Sequence, residues 1–196
     1  MRLVPILLAL VVASGLSAEG PPIPRHAPEF VLSMPDGTTK LLSSYRGKVV
    51  MVEFLYTTCP HCQHSSQVFS KLNTEFGDKG FQPIGVAWDE MAKMKVPDFV
   101  KSFGVNFPVA FSDRDKVLDF LAFSPMMRTV VPQIVWIDRK GNIRSQTAAS
   151  EGDEKLRTEP YWREMLQSLL AEPATGGTSG KKVGSSRKPT LVTRVQ

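Results

Sequence analysis

The chain has 196 residues, of which 42% are apolar and 22% are charged, which is enough for one well-packed domain and too few for two. Its formal net charge is +5 at pH 7. This excess comes from the two ends, which carry Arg2 and five basic residues after position 172. Residues 19–172 contain 18 basic and 19 acidic residues. This near-neutral body has no basic stripe that would follow a phosphate backbone, so the charge pattern argues against nucleic-acid binding.

Both ends of the chain are predicted to lie outside the folded domain. Residues 1–18 carry one positive charge at Arg2, an apolar run from Leu3 to Ala13 and then small residues, which is the pattern of an export signal. The run is shorter than the roughly 20 residues that span a membrane. We therefore expect cleavage and release into the periplasm or cell envelope, with an uncleaved N-terminal anchor as the alternative. Residues 172–196 are rich in Gly, Ser, Thr and Lys, which predicts a disordered basic tail.

Between the ends we expect a Pro-rich lead-in at residues 19–26 and one folded domain at residues 27–171. The domain begins with a predicted hairpin, whose turn is the "PDG" at residues 35–37. The run "KVVMVEFLY" then predicts a strand that is buried on both faces. Apolar residues at helical spacing predict a helix from Pro60 to Phe76, and Gly77 follows as its stop.

Strands and helices continue to alternate in the second half of the chain. "FQPIGVAW" predicts a buried strand, "DEMAKMKVPDFVKSFG" a helix interrupted or restarted at Pro97, and "DRDKVLDFLAF" a short helix that begins at Asp113 or Asp115. "VPQIVWID" and "IRSQTAA" predict antiparallel strands joined by the turn "RKGN". The alternation predicts an α/β fold whose sheet is covered on both sides. A last helix is expected from about residue 153 to 170, with an apolar face formed by Leu156, Tyr161, Met165 and Leu169.

Both cysteines of the chain lie in "CPHC", at the predicted start of the first long helix. Cysteines three apart there share one helix face and are close enough to form a disulfide. Cys59 would lie at the helix N-terminus, where backbone N–H groups and the helix dipole favour a thiolate. We therefore expect Cys59 to be the nucleophile and Cys62 the resolving thiol.

The two residues between the cysteines fit a redox role. Pro60 suits the first turn of a helix because it has no N–H to lose there. A partly cationic His61 would stabilise the neighbouring thiolate and make the disulfide a better oxidant. An ordinary solvated helix position is the alternative for His61.

Glu53 is an acid inside an otherwise apolar strand, where it is costly unless something uses it. It lies six residues before Cys59. We expect it to point beneath the helix, where a carboxyl with a raised pKa could take the proton from Cys62. In the alternative, the strand is half-exposed and Glu53 faces water.

On these residues the sequence resembles the thioredoxin superfamily, since "VVMVEFLYTTCPHC" is followed by helix, strand, helix and then "TVVPQIVWIDRKGNI". "APEF" and "DGTTKLLSSYRGKVV" are similar to exported TlpA/ResA-type redoxins in particular. The resemblance implies a three-layer thioredoxin-like fold, with a central mixed sheet, helices on both faces and an N-terminal β-hairpin. It also implies that Pro132 is cis and packs against the cysteines, that the backbone of Val131 pairs with the substrate, and that Glu53 is the buried acid of the family.

The sequence also departs from this pattern. Thr58 stands where an aromatic residue is usual, and with Val131 and Pro132 it is expected to contact the substrate. Gln63, Ser65 and Gln67 replace the Arg, Glu and Pro that are common in the TlpA/ResA branch, while the Pro-His dipeptide resembles that of DsbA-like oxidants. The direction of electron flow stays open, because His61 favours an oxidant and the TlpA/ResA-like frame favours a reductant.

The predicted function is an exported thiol-disulfide oxidoreductase. It would exchange disulfides with cysteines of envelope proteins, in cytochrome c or copper-site maturation, and a membrane redox partner would recharge it. We expect a monomer that needs no bound cofactor, because the redox centre is the Cys59–Cys62 pair itself.

Two other functions use the same residues: a Sco-like copper metallochaperone, and a non-catalytic interaction module on a thioredoxin scaffold. A copper site would need a His beside both sulfurs. His64 is rotated about 200° from Cys62 around a helix of 3.6 residues per turn, and no His follows it. We therefore expect no metal site.

Overall fold

The computed structural model describes residues 21–150 and 152–173. The predicted export signal, and the predicted basic tail from residue 174 onward, lie outside the described residues. Within the described residues, no helix combines the length and apolarity that crossing a membrane requires. The strands are β1 (Arg25–His26), β2 (Val31–Ser33), β3 (Thr39–Leu41), β4 (Val49–Leu55), β5 (Phe81–Ala87), β6 (Val109–Phe111), β7 (Gln133–Ile137) and β8 (Asn142–Gln146). The helices are α1 (Pro60–Phe76), α2 (Ala92–Phe103), α3 (Arg114–Leu121) and α4 (Glu159–Ala171), with 3-10 turns at Leu42–Tyr45, Gly77–Lys79 and Glu154–Arg157.

The eight strands form one mixed sheet in the order β1-β8-β7-β4-β5-β6-β2-β3. The central strand β4 runs parallel to β5 and antiparallel to β7, and every one of its residues is buried. The predicted fully buried strand is therefore confirmed. The predicted N-terminal hairpin is also confirmed, because β2 pairs with β3 in antiparallel register. Gly37 closes its turn with a φ of +88°, a conformation that glycine adopts without steric cost.

Helices cover both faces of the sheet, as the predicted three-layer α/β fold requires. Alternate residues of β4 point to opposite faces: Met51 joins a core with α1, α2 and α4, whereas Phe54 joins a second core with α3. In the second core Phe54 lies 5.8 Å from Phe30 and 5.4 Å from Phe120, between ring centroids. Burying each such ring contributes about 1.5–3 kcal/mol.

The predicted break at Pro97 is wrong, because α2 runs unbroken from Ala92 to Phe103 with Pro97 inside it. Proline lacks the N–H that would bond to the carbonyl of Lys93. Both Lys93 and Pro97 are exposed, so water can bond to that carbonyl. The helix continues past Pro97 because the missing hydrogen bond lies on its solvent-exposed side.

The last helix differs from its prediction in both start and buried face. Residues Glu154–Arg157 form a 3-10 turn, and α4 begins only at Glu159, after the extended residue Thr158. The buried side chains are those of Trp162, Leu166 and Leu169. Tyr161 and Met165 of the predicted face are only partly buried against the same core, and Leu156 lies outside α4, in the 3-10 turn.

The sheet begins inside the segment predicted as a Pro-rich lead-in. Arg25 and His26 form β1, which pairs with β8 at one edge of the sheet. The Arg25 guanidinium donates to the Phe120 carbonyl at 3.0 Å and to Gln146 Oε1 at 2.9 Å. The first strand of the sheet therefore lies before residue 27, within the predicted lead-in.

Candidate active site

The two cysteines lie where the central strand β4 leads into α1. Cys59 immediately precedes the helix, Pro60 is its first residue and Cys62 lies in its first turn. Both cysteines are free thiols. Cys59 is partly exposed, whereas Cys62 is fully buried, so a protein substrate can reach only the sulfur of Cys59.

The surroundings of Cys59 favour its thiolate. A hydrogen bond from the Cys62 thiol lowers the pKa of Cys59 to about 6, against the opposing effect of partial burial. The backbone N–H groups of Cys62 and His61 and the charge of His61 lower this pKa further. Cys59 is therefore mostly ionised at neutral pH. Of the effects that lower its pKa, the charge of the exposed His61 is the smallest.

The surroundings of Cys62 favour its neutral thiol. Its hydrogen bond to Cys59, its burial and the charge of Glu53 all raise the pKa of Cys62. Cys62 therefore holds its proton as long as Cys59 is a thiolate, and it needs a base before it can attack.

Glu53 lies beneath α1, on the same face of β4 as Met51, and it is 0% exposed. Its carboxyl contacts the hydroxyls of Ser65 and Ser66, the latter at 2.7 Å. Burial raises the pKa of Glu53 to about 8, the two hydroxyls partly offset this effect, and the charge of Cys59 adds to it. The position beneath the helix is confirmed, and the alternative of a half-exposed strand is wrong.

The predicted substrate-binding residues lie beside the reactive sulfur. The Val131–Pro132 peptide bond is cis, as the family resemblance implies. The Cys59 thiol lies 3.9 Å from the Val131 carbonyl oxygen. Thr58 is exposed next to Cys59. Val131 itself is half-buried and Pro132 is buried.

Asp89 fixes the loop before Cys59, and the sequence analysis did not identify it. Its carboxylate accepts hydrogen bonds from the Thr57 N–H at 3.1 Å and the Thr57 hydroxyl at 2.7 Å. Lys95 pairs with it at 3.4 Å, and Gln63 donates to the Thr57 carbonyl at 3.0 Å. The only sequence signal was an acid two residues after the buried strand β5.

Arg157 fixes the loop that carries Pro132, and it too was not predicted. Its guanidinium donates to the carbonyls of Pro132 and of Ala148, the latter at 3.0 Å, and pairs with Asp153 at 3.0 Å. Beside these residues lies a cleft of about 250 Å³, which is lined by His61, His64, Ser65, Val130, Val131, Pro132, Glu154, Arg157 and Trp162.

Across residues 21–150 and 152–173, no three His, Cys, Asp or Glu side chains lie close enough to hold a metal ion. His64 is exposed on α1 and forms part of the cleft wall. The described site therefore consists of two thiols, a buried carboxyl and the backbone of one loop.

A buried resolving thiol next to an exposed thiolate is the arrangement for disulfide exchange, and comparison with known proteins agrees with it. Residues 24–161 match the family model described as Redoxin. The chain belongs to the Redoxin family. This Redoxin protein is 30% identical over 131 residues to the thiol-disulfide oxidoreductase ResA of Geobacillus thermodenitrificans, covering 67% of this chain and 72% of the relative. It is 35% identical over 103 residues to the ResA of Bacillus subtilis, covering 53% of this chain and 57% of the relative.

Solved structures show the same fold for this Redoxin protein. A thiol:disulfide interchange protein of the thioredoxin family from Chlorobium tepidum superposes with a TM-score of 0.62 at 22% identity. The match covers 75% of this chain and 97% of that chain, and at this identity it shows the fold alone. Together with the ResA relatives, the site identifies a thiol-disulfide oxidoreductase, which is an enzyme rather than a non-catalytic interaction module.

Proposed function

We propose that this Redoxin protein is exported and reduces disulfides in other exported proteins, through a mixed disulfide at Cys59. The observation that carries the proposal is the contrast between the two sulfurs, one an accessible thiolate and the other a sealed thiol. The thiolate is the attacking species in disulfide exchange. The N-terminal sequence pattern supports export, and the relatives named as thiol-disulfide oxidoreductases support proteins with disulfides as clients.

The reaction begins when the Cys59 thiolate attacks one sulfur of a client disulfide. A Cys59–client disulfide forms, and the other client sulfur leaves as a thiolate that takes a proton from solvent. The client backbone lies along Val131, with Thr58 and Pro132 at its sides. The Cys59 sulfur lies 3.9 Å from the Val131 carbonyl oxygen, next to this loop.

The second step needs a base, and Glu53 becomes available as this base when Cys59 loses its charge. The charge on Cys59 contributes to the raised pKa of Glu53, and this charge disappears when the mixed disulfide forms. The Glu53 carboxylate thus becomes more available at the step that uses it. It takes the proton of Cys62, whose thiolate attacks the Cys59 sulfur and releases the second client thiolate.

The net reaction converts one client disulfide and two protein thiols into two client thiols and the Cys59–Cys62 disulfide. A dithiol of a membrane redox partner would return the pair to its reduced state, so no bound cofactor takes part. Clients with paired cysteines that must be reduced before they are used, such as those of cytochrome c or copper sites, fit this direction.

The degree of thiolate stabilisation supports the proposed direction. A more stable thiolate stabilises the reduced pair and makes the disulfide a stronger oxidant. The pKa of Cys59 of about 6 lies nearer to the value of about 7 in thioredoxin than to the value of about 3.5 in the oxidant DsbA. The site therefore favours a reductant.

The test is to trap clients with the Cys62→Ser variant. This variant should accumulate mixed disulfides with envelope proteins that dithiothreitol releases, and the double variant Cys59→Ser/Cys62→Ser should accumulate none. Capture by both variants, or by neither, would contradict the exchange mechanism. A reduction potential near about −270 mV would support a reductant, and one near about −120 mV would show an oxidant. Cell fractionation tests export, since the wild-type protein should be found with periplasmic or envelope markers.

A further inference from the structure

The buried position of Glu53 raises the question of where its proton goes, and this question rests on the proposed function. Glu53 is fully buried. In the sheet it lies between Gly85 of β5 and Ile134 of β7, and neither residue has a side chain that can carry a proton. Because the pKa of Glu53 is about 8, this buried carboxyl holds a proton at neutral pH and must lose it through another group before it can accept the proton of Cys62.

Two hydroxyls contact the Glu53 carboxyl, and only one of them is also part of the cleft wall. Ser66 is 0% exposed, and it is not among the residues that line the cleft beside the cysteines. Ser65 is nearly as buried, but it lines this cleft together with His61, His64 and Arg157. Ser65 therefore contacts Glu53 and is also one of the residues that form the wall of the cleft.

The surroundings of the Ser65 hydroxyl suit an exchange of donor and acceptor roles. Its oxygen contacts the Glu53 carboxyl and lies 2.9 Å from the His61 carbonyl and 3.1 Å from the Cys62 carbonyl. A hydroxyl has one hydrogen to donate. When Glu53 is ionised, Ser65 can donate to it. When Glu53 is protonated, Glu53 can donate to Ser65, which then donates elsewhere.

We propose that the Ser65 hydroxyl carries protons between Glu53 and the cleft beside the cysteine pair. Before the resolving step, Glu53 passes its proton to the Ser65 oxygen while Ser65 releases its own proton to water in the cleft, and the carboxylate that this leaves accepts the proton of Cys62. No electrons move in this step, and one proton enters the hydroxyl as another leaves it.

The charged groups around this path lie on the cleft side. His61 and His64 of α1 line one wall, and Glu154 and Arg157 line the other. Arg157 is held by Asp153 and by backbone carbonyls. Beneath the path, the titratable neighbours of Glu53 are Cys59 and Cys62. The proton therefore passes from a buried carboxyl to the cleft, whose wall contains ionisable side chains.

The experiment measures the resolving step alone in four serine variants. Reduced protein reacts with Ellman's reagent, so that the first thionitrobenzoate released reports attack by Cys59 and the second reports attack by Cys62. Ser65→Ala and Ser66→Ala each remove one hydroxyl from Glu53, and only Ser65 is a residue of the cleft wall. Ser65→Thr keeps a hydroxyl at position 65. Ser70→Ala removes a buried hydroxyl two turns from Cys62, which bonds to the Ser66 carbonyl, and controls for helix stability.

We expect Ser65→Ala to slow the second release at least ~10-fold more than Ser66→Ala below the pKa of Glu53, because Glu53 must first lose its proton there. This gap should close at pH 9, where Glu53 is already ionised. A purely structural effect would persist at every pH. Ser65→Thr should restore most of the rate, and Ser70→Ala should match the wild type.

The Glu53→Gln variant distinguishes a failure of the Ser65 relay from a failure of Glu53 as the base. If Glu53→Gln resolves as slowly as expected but Ser65→Ala follows Ser66→Ala at every pH, the proton leaves by another route and only the relay is wrong. If Glu53→Gln resolves as fast as the wild type, Glu53 is not the base, and the relay fails with it. Trapping by the Cys62→Ser variant would still test disulfide exchange in either case.

Discussion

Glu53 and Asp138 are both buried acids at the sheet, and their pKa values move in opposite directions. Glu53 is 0% exposed and Asp138 is 6% exposed. Burial raises the pKa of Glu53 to about 8. Burial also acts to raise the pKa of Asp138, but the N–H groups of Asn142 and Lys140 outweigh it and hold that pKa below its ordinary value.

The difference lies in the partners of each carboxylate. Asp138 follows β7, accepts two backbone N–H groups at 2.9 Å and pairs with Arg144 at 3.4 Å. Glu53 has hydroxyl partners and no cation among its contacts. Donors and a positive charge fix Asp138 as an ion that shapes a turn, whereas two hydroxyls leave Glu53 free to exchange a proton. Two buried carboxyls therefore differ in the direction of their pKa shift because their partners differ.

The largest expected effect is on the pH dependence of stability. Folded Glu53 keeps its proton up to about pH 8, whereas an unfolded glutamate loses it near 4.5. The native state therefore binds more protons between these values, so this group's contribution to the free energy of unfolding is greatest below about pH 4.5 and falls until about pH 8. The Glu53→Gln variant escapes this loss and should gain on the order of 4 kcal/mol relative to wild type across that window.

Denaturant unfolding of both reduced proteins from pH 5 to pH 8 measures this gain. The Cys59 thiolate titrates in both proteins, so its contribution cancels in the difference. A constant difference between the two proteins over this range would show that Glu53 ionises in the folded state as it does in water.

The next effect is kinetic and separates the two acids by their function. Glu53→Gln should slow the release of the second thionitrobenzoate by about 10²-fold, because a general base typically contributes this much, and should leave the first release unchanged. Asp138→Asn, which alters a buried acid remote from the cysteines, should keep both rates. Equal slowing in the two variants would mean that the loss comes from altered packing and not from proton transfer.

A smaller effect is expected on the stability supplied by Asp138. Asp138→Asn should lower the free energy of unfolding by about 1–3 kcal/mol at neutral pH, because it removes the charge that these donors bind. The lowered pKa of Asp138 means that this contribution is present above its ordinary value of 3.8 and is lost as the pH falls through the folded value. Unfolding at pH 7 and at low pH measures it, and a deficit that grew on acidification would contradict the assignment.

The smallest effect concerns the charge of His61 on Cys59. His61 is exposed and is the weakest of the groups that lower the pKa of Cys59. His61→Gln should raise this pKa by less than about one unit, as for other exposed charge pairs. The pH dependence of Cys59 alkylation measures the shift, and His64→Gln serves as the control at another exposed position of α1. A shift of two units or more would make His61 the main determinant of the thiolate.

The sequence predicted what local patterns determine. The apolar run that became β4, the helix from Pro60 to Phe76 and the side chain of Glu53 beneath it all follow from residues within 27 positions of one another. The high cost of an unused buried acid was enough to single out Glu53. The raised pKa of this group was expected from the same argument.

The sequence did not predict contacts between distant segments. Asp89 bonds to Thr57 across 32 positions, and Arg157 reaches Pro132 across 25. No periodicity or spacing marks such partners, because each depends on how the sheet brings its loops together. Ser65 was visible only as a departure from a family pattern and Ser66 was not singled out, and their common partner became apparent from the register of α1 over β4.

The anchoring of Arg157 has a consequence for the kind of client that can react. Its bonds to the carbonyls of Pro132 and Ala148 tie the loop beside the reactive sulfur to the segment before α4. Because these bonds hold the loop in one conformation, we do not expect it to rearrange around a folded partner. We expect the client to bind as an extended segment. Cysteines in chains that have not yet folded, or in flexible stretches of folded ones, are then the accessible targets.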